Sequence, residues 1–171
     1  LYRYEPSSSR FINYGGPKGK TRLFNSTVIR TILESADGKI WIGTDGGLHE
    51  FDPLTGNYNL FLNNPNDNTS ISGDRIRKIY QTCDGYLWIG TTEGLNRMDP
   101  VSKTFVIYTT NEADKTALSN NYIWSISEDN SGILWIGTNG GGLNSLDPNT
   151  GNIRVFDEKN GLPNDGVYGI M

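Results

Sequence analysis

The side chains that could do covalent, metal or acid–base chemistry are few in this chain, and their spacing limits them further. Among 171 residues there is one histidine, His49, and one cysteine, Cys83. Nucleophilic catalysis through histidine needs a serine or cysteine held beside it, and a zinc site needs clustered histidine and cysteine. Single copies far apart supply neither, and His49 reads as a strand residue facing a neighbouring sheet or solvent. Carboxylates are plentiful, and two at the right separation could hydrolyse a glycoside. Yet Asp37 and Asp84, and Asp52, Asp99 and Asp147, recur at equivalent places along the chain, which is how turn residues behave. Asp129-Asn130-Ser131-Gly132 is a weak echo of a calcium loop, and Thr44 to Gly47 lacks the Gly-Lys-Ser/Thr ending of a phosphate loop. The expectation is no catalytic residue, no metal and no cofactor.

Binding is the chemistry that remains. Arg30, Arg77, Trp124 and Tyr168 follow equivalent β-branched residues, Ile29, Ile76, Ile123 and Val167, and differ among themselves while their neighbours do not. Aromatic platforms beside planar polar groups are what sugar recognition requires. These four are the candidate ligand-binding residues.

The elements that must position them are set by a repeat. DGKIWIGTDGGL from Asp37, DGYLWIGTTEGL from Asp84 and SGILWIGTNGGGL from Ser131 recur at an interval of 47 residues, and a fixed period between 20 and 50 marks a repeat architecture. Trp41, Trp88 and Trp135, then Gly43, Gly90 and Gly137, then Asp52, Asp99 and Asp147 keep the phase as structural residues. Within one unit, Val28 to Glu34, Lys39 to Thr44, Leu48 to Phe51 and Asn57 to Phe61 are β-rich runs. They are separated by Asp-Gly and Gly-Gly turns, the strongest short hairpin signals. The unit is a four-stranded antiparallel meander. Ile40-Trp41-Ile42 and Leu87-Trp88-Ile89 are apolar on both faces, so each sheet must lie between two others.

Four-stranded sheets stacked face to face around a ring make an all-β fold, the β-propeller. The chain divides into strands c and d of a preceding blade (1–14), three complete blades (28–61, 75–108 and 122–156) and the first strand of a following one (167–171). Three blades and two fragments are short of a ring of 4 to 8. A segment of a larger propeller is expected, its partners being the remaining blades, or a second copy through self-association. The glycine after each Trp-Ile is expected to make room for a bulky ring, and the tryptophan to be the main filler. The long connectors, Gly15 to Thr27, Leu62 to Arg75, Thr109 to Tyr122 and Asp157 to Gly166, share one rim, and the four candidates would line the mouth of the central channel.

Net charge is −4, with no basic stripe, which argues against nucleic acid and anionic membrane surfaces as partners. Mean hydropathy of −0.49, with no apolar run near 18 residues, leaves no membrane span in this segment. One cysteine says nothing of redox compartment. Asn25 and Asn68 stand in glycosylation-like triplets of a kind that Asn-rich loops produce by chance.

Asp-Gly, then Leu or Ile-Trp-Ile-Gly-Thr, then Gly-Leu, Asp-Pro and an aromatic resembles the two-component regulator propeller repeat over essentially the whole chain. The connectors NNPNDNTSISGDRI from Asn63 and NGLPNDGV from Asn160 are similar to that family's inter-blade linkers. The resemblance implies seven-bladed propellers in the periplasmic sensor region of a hybrid histidine kinase, followed elsewhere by an immunoglobulin-like domain, a membrane helix and a kinase core. It also implies sensing of oligosaccharides. Open alternatives are a scaffold for protein contacts or dimerisation, and a propeller lyase, which would need clustered histidines and acids.

Overall fold

A computed structural model describes residues 2–13, 28–114 and 116–170. The connector from Gly15 to Thr27, with Asn25, and Met171 lie outside them. Strands β1 (Tyr2–Glu5) and β2 (Arg10–Asn13) form a two-stranded antiparallel sheet. Three four-stranded meanders follow: β3 (Ile29–Glu34), β4 (Ile40–Thr44), β5 (Gly47–Phe51) and β6 (Tyr58–Phe61); β7 (Ile76–Gln81), β8 (Leu87–Thr91), β9 (Leu95–Met98) and β10 (Phe105–Tyr108); β11 (Ile123–Glu128), β12 (Leu134–Thr138), β13 (Leu143–Leu146) and β14 (Ile153–Phe156). A single 3-10 turn, Glu158–Asn160, is the one helical element among the described residues. The chain from Val167 to Ile170 is not a strand. It is tied by a bridge between Asn139 and Gly166 and by the Val167 N–H, which donates to the Thr138 carbonyl at 3.0 Å.

The first strands touch one another, β3 against β7 and β7 against β11, so the sheets fan outward from a common inner edge. Two apolar slabs fill the wedges between them. One joins Trp41 and Leu48 to Ile76, Ile79, Leu87 and Phe105; the other joins Trp88 and Leu95 to Ile123, Ile126, Leu134 and Ile153. This is why the middle strands are apolar on both faces: β8 buries every residue, alternately into one slab and the other.

Each conserved letter of the repeat has a mechanical task. Asp52 accepts from Leu54 N–H at 2.8 Å, Asp99 from Val101 N–H at 2.7 Å and Asp147 from Asn149 N–H at 2.9 Å, closing the hairpin between third and fourth strands. The aromatic of the fourth strand lies against its own blade's tryptophan: Phe61 on Trp41 at 5.9 Å, Tyr108 on Trp88 at 5.6 Å and Phe156 on Trp135 at 5.8 Å. The glycine after Trp-Ile does something other than admit a ring. A Cβ on Gly43 would stand 2.6 Å from Cγ2 of Ile76, and one on Gly90 would stand 2.6 Å from Cγ2 of Ile123. What it admits is the β-branched residue that opens the next blade's inner strand. Val167 takes that place against Gly137.

Polar ties also cross between blades. Gln81 Oε1 accepts from Ala36 N–H at 2.9 Å, and 47 residues later Glu128 Oε2 accepts from Cys83 N–H at 3.3 Å. Linkers are pinned by buried amides: Asn96 Oδ1 accepts from Ser72 N–H at 2.8 Å, and Asn144 Oδ1 from Ser119 N–H at 3.0 Å.

Candidate functional site

Each inner strand carries one irregularity at the same place. Ile29 pairs with Thr44 and Thr31 with Gly43, leaving Arg30 between them without a ladder partner. Arg77 is skipped in the same way between Ile76 and Lys78, and Trp124 between Ile123 and Ser125. These are β-bulges, which release a residue from the pairing and re-aim its side chain. The glycines opposite, Gly43, Gly90 and Gly137, belong to the Trp-Ile-Gly-Thr strand, so the repeat itself builds the bulge.

The four candidates come together in one row, joined by two residues absent from the sequence prediction. Arg30 holds Asp45 with both arms, Nε to Oδ1 at 3.1 Å and Nη2 to Oδ2 at 2.8 Å. Arg77 Nη1 lies 3.3 Å from the same Oδ1, so one carboxylate bridges two blades. The Arg77 guanidinium stands 5.2 Å from the Tyr122 ring centre. Tyr122 meets Trp124 edge to face at 4.9 Å, and Trp124 meets Tyr168 at 5.1 Å. Arg30 and Tyr168 are exposed at the two ends of the row, while the Arg77 side chain is only 12% exposed.

Two donors in the middle of this row are buried without a hydrogen-bond partner: Nε of Arg77 and Nε1 of Trp124. A buried polar group left unpaired costs roughly 1 to 3 kcal/mol, and such groups are rare in native structures. Here both lie on adjacent bulge residues, flanking Tyr122. Electrostatically the row is cationic around one anion. The hydrogen bonds from Arg30 hold the Asp45 carboxyl below its ordinary range, with the charges of Arg77 and Arg75 adding to the effect against the opposing cost of burial. The same pair raises the Arg30 guanidinium.

Asp45 and Tyr122 could have been found in the sequence by the test that singled out the other four. Asp45 takes the place of Thr92 and Asn139, and Tyr122 the place of Val28 and Arg75. Both are unlike residues at repeated positions, on a turn and at a strand entry respectively.

His49 is fully buried, at the position that Asn96 and Asn144 hold in the other blades, so the solvent-facing alternative does not hold. It pairs with Ile42 on the face that also carries Ile32. Thr44 Oγ1 lies 3.1 Å from His49 Nε2 and donates its one proton to the Gly47 carbonyl at 3.0 Å. Nδ1 of the ring meets the Tyr58 hydroxyl. Burial pushes the imidazole down to about 4 and the Tyr58 phenol up to about 12. With Thr44 and His49 both shut from solvent, the pair has no path to a substrate. Among the described residues, no three His, Cys, Asp or Glu side chains gather as a metal site.

Residues 23–46 and 117–140 match the model of the two-component regulator propeller. Both stretches are similar to the two-component regulator propeller repeat. These matches fall on the first and third full copies of the 47-residue unit. No curated protein sequence matches the chain. Among solved structures, the chain is similar to the extracellular domain assigned to the hybrid two-component system BT3049 of B. thetaiotaomicron, with a TM-score of 0.78 and 23% identity over 85% of this chain and 21% of that one. A second neighbour is the extracellular domain assigned to system BT4673 of the same organism, with a TM-score of 0.73 and 24% identity over 87% of this chain and 22% of the other. PorZ, a surface component of the type-IX secretion system of Porphyromonas gingivalis, matches with a TM-score of 0.75 and 16% identity over 98% of this chain and 26% of its own. The chain spans about a fifth of the first two structures. These likenesses establish the propeller fold. Among the described residues, no helix is long and apolar enough to cross a membrane.

Proposed function

We propose that this chain is a ligand-sensing, extracytoplasmic segment of a hybrid two-component histidine kinase, lying in the periplasm, where it detects oligosaccharides and thereby controls genes for glycan use. The observation that carries the reading is the row from Arg30 to Tyr168, in which structurally invariant bulges present variable side chains and two unsatisfied donors. Aromatic rings alternating with planar cations offer the stacking and hydrogen-bonding surface that sugars need. The family match and the extracellular domains among the structural neighbours support the same assignment. Under this reading the exposed face of β3 at Ile29 and Ile32, and a cleft of about 370 Å³ over Trp135, are surfaces for further blades or a second copy.

A scaffold without a small ligand is the second reading, supported by the likeness to PorZ, whose description is that of a surface component. Replacing Arg77 and Trp124 by Ala in the full-length protein and titrating an oligosaccharide panel separates the two. Sensing predicts that at least one oligosaccharide raises the melting temperature of the native protein and that both substitutions weaken it. No shift across the panel leaves the scaffold.

A further inference from the structure

We infer that the row selects acidic saccharides, its centre at Arg77 and Trp124 taking a carboxylate or sulfate group carried on a sugar ring. The inference rests on the sensing reading and adds the chemical class of the ligand.

Three features carry it. The first is the polarity of the vacant hydrogen bonds. Both buried unpaired atoms, Arg77 Nε and Trp124 Nε1, are donors that cannot accept. A group that offers several acceptor oxygens in one place suits them better than a hydroxyl, which brings a donor of its own. The second is charge. On a chain of net charge −4, Arg30 and Arg77 converge on a single carboxylate, Asp45, with Arg75 bearing on it as well. Arg30 occupies both oxygens of Asp45 as a bidentate pair, whereas Arg77 reaches it through Nη1 alone, at 3.3 Å. The guanidinium of Arg77 is thus the under-used cation. The third is access. Tyr168 covers Trp124 at 5.1 Å, is 67% exposed, and sits on a segment without a strand ladder. Tyr168 thus stands beside the site as an exposed stacking face for the sugar that bears the anion.

Asp45 has a defined part in this arrangement. It holds Arg30 and Arg77 oriented on one carboxylate in the absence of ligand, and it is a competitor that any incoming anion must match. The site therefore discriminates by geometry as well as by charge, because Asp45 already holds Nη1 of Arg77 and leaves Nε for the incoming anion.

The test uses the full-length protein and three probes followed by calorimetry: trigalacturonate, the same trisaccharide as its methyl ester, and an O-sulfated galactose trisaccharide. The expected result is binding of at least one acidic probe, loss of about tenfold or more in affinity on Arg77→Gln, as for a hydrogen bond to a charged group, and partial loss on Trp124→Phe, which keeps a ring and removes the donor. Raising salt from 50 to 300 mM should weaken the acidic probe and leave any residual binding of the ester unchanged. Which acidic probe binds tells uronate from sulfate. Binding of the methyl ester as tightly as trigalacturonate, with Trp124→Ala abolishing both, would overturn the acidic preference and leave oligosaccharide sensing standing. Acidic binding untouched by Arg77→Gln would overturn the site. Binding of none of the three, and no melting shift across a wider neutral panel, would remove the sensing reading and this one with it. Circular dichroism of each variant confirms that a lost affinity is not a lost fold.

Discussion

The ammonium of Lys103 stands 2.9 Å from Oε1 of Glu50, 53 residues earlier and one blade back, and 4.9 Å above the ring of Trp41. Glu50 is almost completely buried. Burial alone would push its carboxyl up; hydrogen bonds from Lys103, Asn59 and Lys39 outweigh that and hold it below the ordinary glutamate range. Lys103 reaches this position from a left-handed backbone, with φ of 60°, at the turn position where the other two blades have Gly56 and Gly151.

Lys103→Ala should therefore destabilise the protein by about 2 kcal/mol, less than the roughly 3 to 5 of a fully broken buried pair, because Lys39 remains 3.1 Å from Glu50. Lys103→Gly should recover about 1 kcal/mol of that by relaxing the backbone. Urea denaturation of the two variants measures both steps, and equal midpoints for wild type and Lys103→Ala would refute the staple.

Gly90→Ala is predicted to cost about 1 to 3 kcal/mol, since the new methyl would overlap Ile123 of the next blade. Gly85→Ala, at a turn with φ of 91° and open space around it, should cost about 1 kcal/mol through backbone strain alone. A double change, Gly90→Ala with Ile123→Val, is the sharper check. If overlap is the cause, the valine will not relieve it, because the clash reaches Ile123 Cβ as well as Cγ2; recovery of wild-type stability would show the cause to be wrong.

The tryptophans are not equivalent. Trp88→Ala should cost roughly 3 to 5 kcal/mol, because the ring is almost wholly buried between two sheets. Trp135 faces an open cleft that it shares with Asp147, Arg154 and Phe156, and its Nε1 donates to Asp129 at 2.9 Å. Trp135→Ala should cost less than half as much. Thermal denaturation of the two variants decides it, and an equal loss at both positions would mean that the cleft over Trp135 is covered in solution.

His49 makes stability depend on pH in a window of its own. Its folded-state value of about 4 lies below the ordinary 6.5, so between these the unfolded chain binds the extra proton. Stability contributed by the neutral ring is complete above pH 6.5 and is lost as pH falls toward 4. Carboxyls held below their ordinary value, Asp45, Asp99 and Asp147 among them, lose their contribution only at lower pH. His49→Asn, the residue used by the other blades, should flatten melting temperature against pH between 6.5 and 4 and leave the acid limb unchanged. A slope that persists in the variant would assign the titration to another group.

The sequence alone locates the strands well, because a period of 47 repeats every turn signal three times and averages away local ambiguity. It also isolates Arg30, Arg77, Trp124 and Tyr168 as variable positions in a constant setting. What it does not carry is register. That Arg30 is a bulge residue depends on Ile29 and Thr31 pairing with consecutive residues Thr44 and Gly43, a fact of pairing and not of composition. For the same reason the role of Gly43 is misjudged from spacing: its contact, Ile76, lies in another blade, and the tryptophan that suggests a ring points elsewhere. For His49 the sequence leaves a blade-facing and a solvent-facing position open, because a lone histidine on a strand gives no sign of whether its face is covered. The turn glycine replaced by Lys103 looks like a simple loss until the preceding blade is placed beside it.

Because the extra residue in each inner strand owes nothing to the hydrogen-bond ladder, it is free to change without disturbing the blade that carries it. Isoleucine before it and the glycine opposite form the close contact between blades; the bulge residue is released from that pairing. A ring of such blades is then a row of interchangeable letters, one per blade, mounted on identical type. Duplicating a blade adds a letter, and a single substitution rewrites one, in steps that leave the hydrogen-bond ladder untouched.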